Sequence, residues 1–114
     1  MRDEVIIFMD LVPVAGTQDE HGDPVLREER SDIVFAERMS IRQSEFYQAQ
    51  TSDRKPEIKF KITDYMDYQD QQYLIYGNVR YKILRTYQTM SNELEITCYG
   101  GVRDANTAVS DEDH

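Results

Sequence analysis

Few side chains in this sequence could carry acid–base, nucleophilic or metal chemistry. The two histidines are His21, inside an acidic run, and His114, the last residue. His21 and its acidic neighbours could hold a cation, but the ordered acidic spacing and distal glutamate of a calcium loop are missing. We therefore favour a solvated hairpin tip. Cys98 is the single cysteine and falls where a strand residue points inward, so we expect a buried thiol rather than a nucleophile.

Three aspartates recur at every third position, namely Asp64, Asp67 and Asp70. They could form a carboxylate pair or a metal cluster, but Asp64 is also placed to cap a short turn, and we favour capping and solvation. Neither G-x-x-x-x-G-K nor G-x-G-x-x-G occurs, so no phosphate-cradling loop is predicted. The sequence thus predicts no catalytic residue, no metal site, no cofactor and a non-enzymatic role.

The charge balance is strongly acidic, with 22 Asp and Glu against 13 Lys and Arg in 114 residues and a formal net charge of −9. This excludes a protein that coats nucleic acid without specificity, because such binding needs surplus cations. One cationic stretch contains Arg54, Lys55, Lys59 and Lys61. Two interpretations stay open: a face for DNA or another negative partner, or solvent-facing strand lysines that protect an edge.

Short segments with period-two alternation must position these residues, and they predict β-strands. The predicted strands span residues 4–12, 33–39, 58–62, 72–76, 79–83 and 94–98. Gly77 and Asn78 predict a two-residue type II′ turn. Residues 14–31 are interpreted as a long polar hairpin connection. The first strand is apolar on both faces, so we expect it to be covered twice, inside a closed barrel or at a subunit contact.

One short helix is predicted from Ile41 to about Gln50, because Ser40 and Gln43 have capping-box spacing and no Gly or Pro interrupts the segment. The fold class is therefore all-β, a small antiparallel β-barrel or sandwich of about six strands with one short helix. We expect a single domain over residues 1–102 and an acidic, disordered tail over residues 103–114. A single thiol, with neither a signal peptide nor an apolar span, indicates a cytoplasmic protein without membrane contact.

The order of these elements resembles a known family. The segments that carry the resemblance are IRQSEFYQAQ at 41–50, IKFKI at 58–62, the aspartate- and tyrosine-bearing turn at 64–70, YLIYGNVRYKI at 73–83 and the closing strand at 94–99. Together they are similar to head closure proteins, also called head-tail joining or stopper proteins, of phages with long non-contractile tails. The resemblance covers about residues 4–102. The sequence departs from many relatives at the second strand, where it has no Trp.

This resemblance implies a structural virion protein at the neck, assembled in the host cytoplasm. About twelve copies of the chain would form a ring below the portal and its adaptor ring. The ring would retain packaged double-stranded DNA without sequence specificity. It would also present the docking surface for a tail completion or terminator protein. The resemblance also links the segment between the second and third strands to channel closure. Its residues here are Gln43, Ser44, Glu45, Phe46, Tyr47, Gln48, Gln50, Thr51, Ser52, Asp53, Arg54 and Lys55.

Other functions stay open at this point. An acidic protein that mimics DNA charge would account for the net charge equally well. Such a mimic should show long carboxylate rows on one face, whereas the most regular strand faces here carry Lys59 and Lys61, and Arg80 and Lys82. Another neck component, such as a tail terminator, is a third interpretation. For residues 43–55, the alternative to a gate is a plain surface loop that docks on the portal adaptor.

Overall fold

The computed structural model describes residues 4–41 and 54–104, and these residues form an all-β domain. The strands are β1 (Glu4–Pro13), β2 (Leu26–Arg30), β3 (Val34–Met39), β4 (Pro56–Ile62), β5 (Tyr73–Tyr76), β6 (Val79–Gln88) and β7 (Leu94–Arg103), with one 3-10 turn at Tyr65–Asp67. The predicted all-β, antiparallel fold class is confirmed, with seven strands in this part of the chain rather than about six. The predicted helix lies, beyond Ile41, outside the described residues.

The strands form one antiparallel sheet that closes on itself. Its order is β2-β1-β3-β4-β7-β6-β5, and β5 also pairs with β1. Ile6 is the residue at the junction, paired with Val34 of β3 on one side and with Tyr76 of β5 on the other. Six strands therefore make a ring, and β2 extends from it beside the second half of β1.

The β2 strand differs from the sequence prediction, which treats residues 14–31 as one polar connection. Leu26–Arg30 runs antiparallel to β1, from Pro13 opposite Leu26 to Met9 opposite Arg30. Its sequence, LREER, has no apolar face, so period-two alternation of hydrophobic residues cannot reveal it. Backbone pairing to β1 holds the strand. The loop between β1 and β2 is therefore shorter than the connection that the sequence predicts.

The inward faces of the ring form a single hydrophobic core. Its buried members are Ile6, Phe8, Ala36, Ile58, Phe60, Ile62, Leu74, Leu94, Ile96 and Cys98. The alternation predicted for Ile58, Phe60 and Ile62 is therefore observed. The Phe60 ring meets the Tyr76 ring edge to face, with centroids 5.0 Å apart. Such a pair adds about 0.5–1.5 kcal/mol to the burial of the two rings.

Residues 63–72 connect β4 to β5, which are not neighbours, and so cross one end of the ring. Tyr68 in this crossing packs its ring on Phe8, at 5.1 Å between centroids, and donates its hydroxyl to the Gln71 carbonyl at 2.8 Å. Burial, together with the carboxylates of Asp70 and Asp10, raises the pKa of Tyr68 to about 12. The phenol therefore stays neutral and covers this end of the core.

The predicted tight turn joins β5 to β6. Tyr76 pairs with Val79, and Gly77 has a φ of +63° whereas Asn78 is not among the residues with positive φ. A positive φ at the first central position alone is the type II′ arrangement, which glycine adopts without strain. The Asn78 carbonyl also accepts a 2.8 Å hydrogen bond from the backbone N–H of Asp104, a fully buried residue just past β7.

Two phenylalanines on opposite faces of the sheet allow a test of which face forms the core. Phe60 is completely buried, whereas Phe35 is 57% exposed on the outer face of β3. We expect Phe60→Ala to lower the free energy of unfolding by about 3–5 kcal/mol through lost burial and a cavity, and Phe35→Ala to change it by no more than about 0.5 kcal/mol. Urea unfolding followed by circular dichroism measures both. Equal losses for the two variants would contradict the assignment of the two faces.

Candidate functional site

The segment linked to channel closure is described only at its end. Gln43 to Asp53 lie outside the described residues, while Arg54 and Lys55 are exposed just before β4. The guanidinium of Arg54 lies 5.9 Å from the centre of the Tyr99 ring on β7. The register pairs Met39, the last residue of β3, with Lys59 of β4. The connection between β3 and β4 therefore leaves and rejoins the sheet at the same end of the ring.

The two lysines of β4 do not form an open cationic face, so neither sequence interpretation of them holds. Lys59 is 3% exposed, and its ammonium lies 3.2 Å from a carboxylate oxygen of Glu95 on β7. Lys61 is shared between Glu93 at 3.6 Å and Glu37 at 3.8 Å. In addition, β4 is paired on both edges, so its lysines protect no edge. These cations neutralise carboxylates within the fold.

An acidic groove lies at the end of the ring that residues 63–72 cross. Its volume is about 800 Å³, and carboxylates of Asp10, Glu29, Asp32 and Asp67 line it. Asp10 accepts a 2.7 Å hydrogen bond from the backbone N–H of Gln72. The groove also has two exposed apolar side chains in its wall, Ile33 and Met66. Charge and exposed apolar surface occur together here, as they do at many protein contacts.

Arg30 lies in the wall of this groove but its charge is satisfied internally. Its guanidinium approaches the Glu28 carboxylate at 2.7 Å and the buried Asp104 carboxylate at 3.3 Å. Burial by itself would lower the pKa of Arg30, but its hydrogen bonds and attraction to Glu28 and Asp104 raise that pKa above its ordinary value. Arg30 therefore anchors the end of β7 to β2 and leaves the groove with a negative balance.

A second charged surface, the cation–aromatic patch, lies on the outer face of β5, β6 and β7. The guanidinium of Arg80 sits 5.2 Å from the centre of the Tyr73 ring, and the ammonium of Lys82 lies 6.0 Å from that of Tyr99. Arg54 approaches the same Tyr99 ring. In each contact the cation is attracted to the face of an aromatic ring. At an exposed site, such an interaction contributes about 0.5–1 kcal/mol toward holding the cation in place.

The other residues that the sequence suggested for metal binding or catalysis have structural roles in the fold. Asp19 accepts hydrogen bonds from the backbone N–H groups of His21 and Asp23, which shapes an exposed hairpin tip. Asp64 accepts from the backbone N–H of Met66 and caps the 3-10 turn, as predicted. Cys98 is fully buried in the core, also as predicted. Within residues 4–41 and 54–104, no group of three or more His, Cys, Asp or Glu side chains is arranged to hold a metal ion.

Sequence reasoning missed the acidic groove. It is built by residues 29–34 and 66–71, which are far apart in the chain and meet only because the sheet closes. The patch was missed in part: the alternation of Arg80 and Lys82 shows a cationic face on β6, but nothing local places Tyr99 beside it.

No protein-family model matches this chain, and no match to a curated protein is found either. In the part of the chain that the structure describes, no helix is long and apolar enough to cross a membrane.

The buried Lys59–Glu95 pair yields a stability prediction. Glu95→Gln replaces a charged partner of the buried Lys59 ammonium by a neutral one, which should cost about 1.5–3 kcal/mol. Glu37→Gln is the matched control, because Lys61 retains Glu93 and both side chains of the Lys61–Glu37 pair are partly exposed. We expect a loss below about 1 kcal/mol there. Urea unfolding measures both, and a Glu95→Gln loss as small as the control would refute the role of the pair.

Burial of Cys98 yields a reactivity prediction. Burial raises the pKa of the Cys98 thiol to about 12. At pH 8 the thiol is therefore protonated as well as inaccessible, and only the thiolate reacts. We expect a disulfide reagent to label the native protein only as fast as it unfolds, with labelling accelerated in parallel by urea. Rapid labelling of the native chain in buffer would show that Cys98 is a reactive thiol instead.

Proposed function

We propose that this chain is a structural subunit of the head–tail junction of a tailed phage, a head closure protein that assembles as a ring. The observation that carries the proposal is the arrangement of the connection between β3 and β4. That connection leaves and rejoins a closed antiparallel sheet at one end, and the sheet also holds the tight hairpin at Gly77. These elements are part of the ordered set on which the sequence resemblance depends, and another part of that set, the segment at 41–50, lies beyond Ile41 outside the described residues.

The charge distribution supports a conduit for DNA. With a net charge of −9, the chain repels phosphate backbones, and the carboxylates of Asp10, Glu29, Asp32 and Asp67 line the groove. A channel with negative walls lets packaged DNA move without adhering to it. The ion pairs of Lys59 and Lys61 support the same proposal, because they leave β4 without surplus positive charge.

The proposed gate is the segment that contains Arg54 and Lys55. In a ring, symmetry brings identical connections from neighbouring subunits together around the axis. Contacts between the copies would close the hole and would be released when the tail docks. The exposed side chains of Arg54 and Lys55 would attract DNA held behind such a gate. In this proposal the ring lies below the portal and its adaptor ring, in the virion neck, and a tail completion protein docks on its other side.

The experiment uses heads assembled in vitro with the purified chain. We expect the wild-type chain to retain packaged DNA and to allow tail attachment, and a variant shortened within residues 50–55 to bind the heads but leak DNA. The control is an equal shortening within residues 17–22 of the β1–β2 hairpin, which follows the end of β1, whereas the end of β3 lies toward the beginning of β1. DNA release is measured by nuclease sensitivity, and tail attachment by electron microscopy.

Three results would contradict the proposal in different ways. If the shortened variant retains DNA and accepts tails, the segment is not the gate. If the wild-type chain neither binds heads nor improves DNA retention, the head closure role is wrong. If the chain instead forms a tight one-to-one complex with a basic DNA-binding protein, it is an acidic DNA mimic.

A further inference from the structure

Among the described strands, β6 has the largest excess of positively charged side chains. It carries Arg80, Lys82 and Arg85 and no acidic residue. Arg80 and Lys82 are held over the rings of Tyr73 and Tyr99 on the neighbouring strands, so their positions are set before any partner arrives. Cations that are ordered in advance lose less entropy on binding. The cation–aromatic patch is therefore suited to a negative partner surface.

The acidic groove has the complementary properties. The carboxylates of Asp32 and Asp67 are exposed and form no ion pair with any residue of 4–41 or 54–104. Beside them, Ile33 is 56% exposed and Met66 is 63% exposed. A partner that brings cations flanked by aromatic or aliphatic surface would satisfy both parts of the groove. The patch has such surface in its tyrosine rings and in Val102, which is 50% exposed on β7.

We propose that the cation–aromatic patch of one copy docks in the acidic groove of the next copy. Two different surfaces of the same chain then meet, which is a heterologous contact, and repetition of such a contact builds a ring or an open chain of subunits. The inference deepens the proposed function and depends on it for closure of the ring. Because opposite charges attract at long range and salt screens them, the contact should form faster and more tightly at low ionic strength.

The test reverses each surface separately. One variant carries Arg80→Glu and Lys82→Glu, and the other carries Asp32→Lys and Asp67→Lys. We expect each variant alone to self-associate about tenfold more weakly than the wild type at low ionic strength. An equimolar mixture should recover wild-type association, because each reversed surface then meets a partner of opposite charge. Sedimentation velocity over a concentration series measures this, and recovered species larger than a dimer distinguish a heterologous contact from a two-fold one.

The matched control reverses two carboxylates outside the groove, with Glu20→Lys and Asp23→Lys at the exposed hairpin tip. It changes the net charge as much as the groove variant does, and we expect it neither to weaken association nor to rescue the patch variant. If the control behaves like the groove variant, or if the mixture of reversed variants fails to recover association, the proposed contact is overturned.

Cross-linking provides a second measurement that tolerates weak association. Chains with Lys82→Cys are mixed with chains with Asp67→Cys under oxidising conditions, while the native Cys98 stays buried in the core. We expect disulfide-linked dimers well above the level from Lys82→Cys mixed with Glu20→Cys. Equal yields from the two mixtures would overturn the contact. If reversal of the patch abolishes binding of double-stranded DNA and leaves self-association unchanged, the patch is a phosphate-binding surface and the proposal is also overturned.

These measurements use the purified chain, so they separate the contact from the proposed function. If the mixture of reversed variants does not recover association, but heads assembled with the wild-type chain retain DNA, the contact is overturned and the head closure role stands. If the mixture recovers association, but heads assembled with the wild-type chain leak DNA, the contact is supported and the role is overturned.

Discussion

The structure depends on one feature, the pairing of β1 along both of its edges. Around Ile6 the strand bonds to β3 on one side and to β5 on the other, and this closes six strands into a ring. Closure gives backbone N–H and C=O groups of these strands hydrogen-bond partners in the neighbouring strands. It also surrounds the core with paired strands on all sides. It also forces the chain from β4 to β5 to cross an end of the ring, where Tyr68 covers the core. The groove exists because that crossing meets the base of the β1–β2 hairpin.

The sequence predicts those strands that bury the side chains of one face and expose those of the other. Ile58 and Phe60 alternate with lysines, and Gly77 stands where only a positive φ completes the turn, so strand and turn are readable locally. The strand β2 could not be predicted in this way, because both of its faces are largely exposed and its single apolar side chain, Leu26, is exposed at the first position. Its conformation is imposed by β1, which is a long-range effect.

The charged residues show the same limit more clearly. Alternation identifies Lys59 as an outward residue of a strand, and outward residues normally meet water. Here the side chain is buried against Glu95, a residue on a strand 36 positions later in the sequence. The groove likewise arises from segments that only sheet closure brings together, and the patch arises from the register of β5, β6 and β7, which places Tyr73 and Tyr99 beside the cations of β6. Composition reports the excess of carboxylates, but the separation of charge into a negative end and a positive strand is a property of the fold.

Closure also decides which kind of contact a neighbouring copy could make. Among the described strands, β2 is the one that pairs on a single edge, since β1 pairs with three strands and β3, β4, β5, β6 and β7 each pair with two. Its open edge carries alternating charges, with Arg27 beside Glu29 and Arg30 beside Glu28, and charged edges resist the addition of another strand. Most of the closed sheet therefore offers neighbours its side chains rather than its backbone, although the second half of β6 pairs only with β7. The groove and the patch are the outer surfaces with opposite charge.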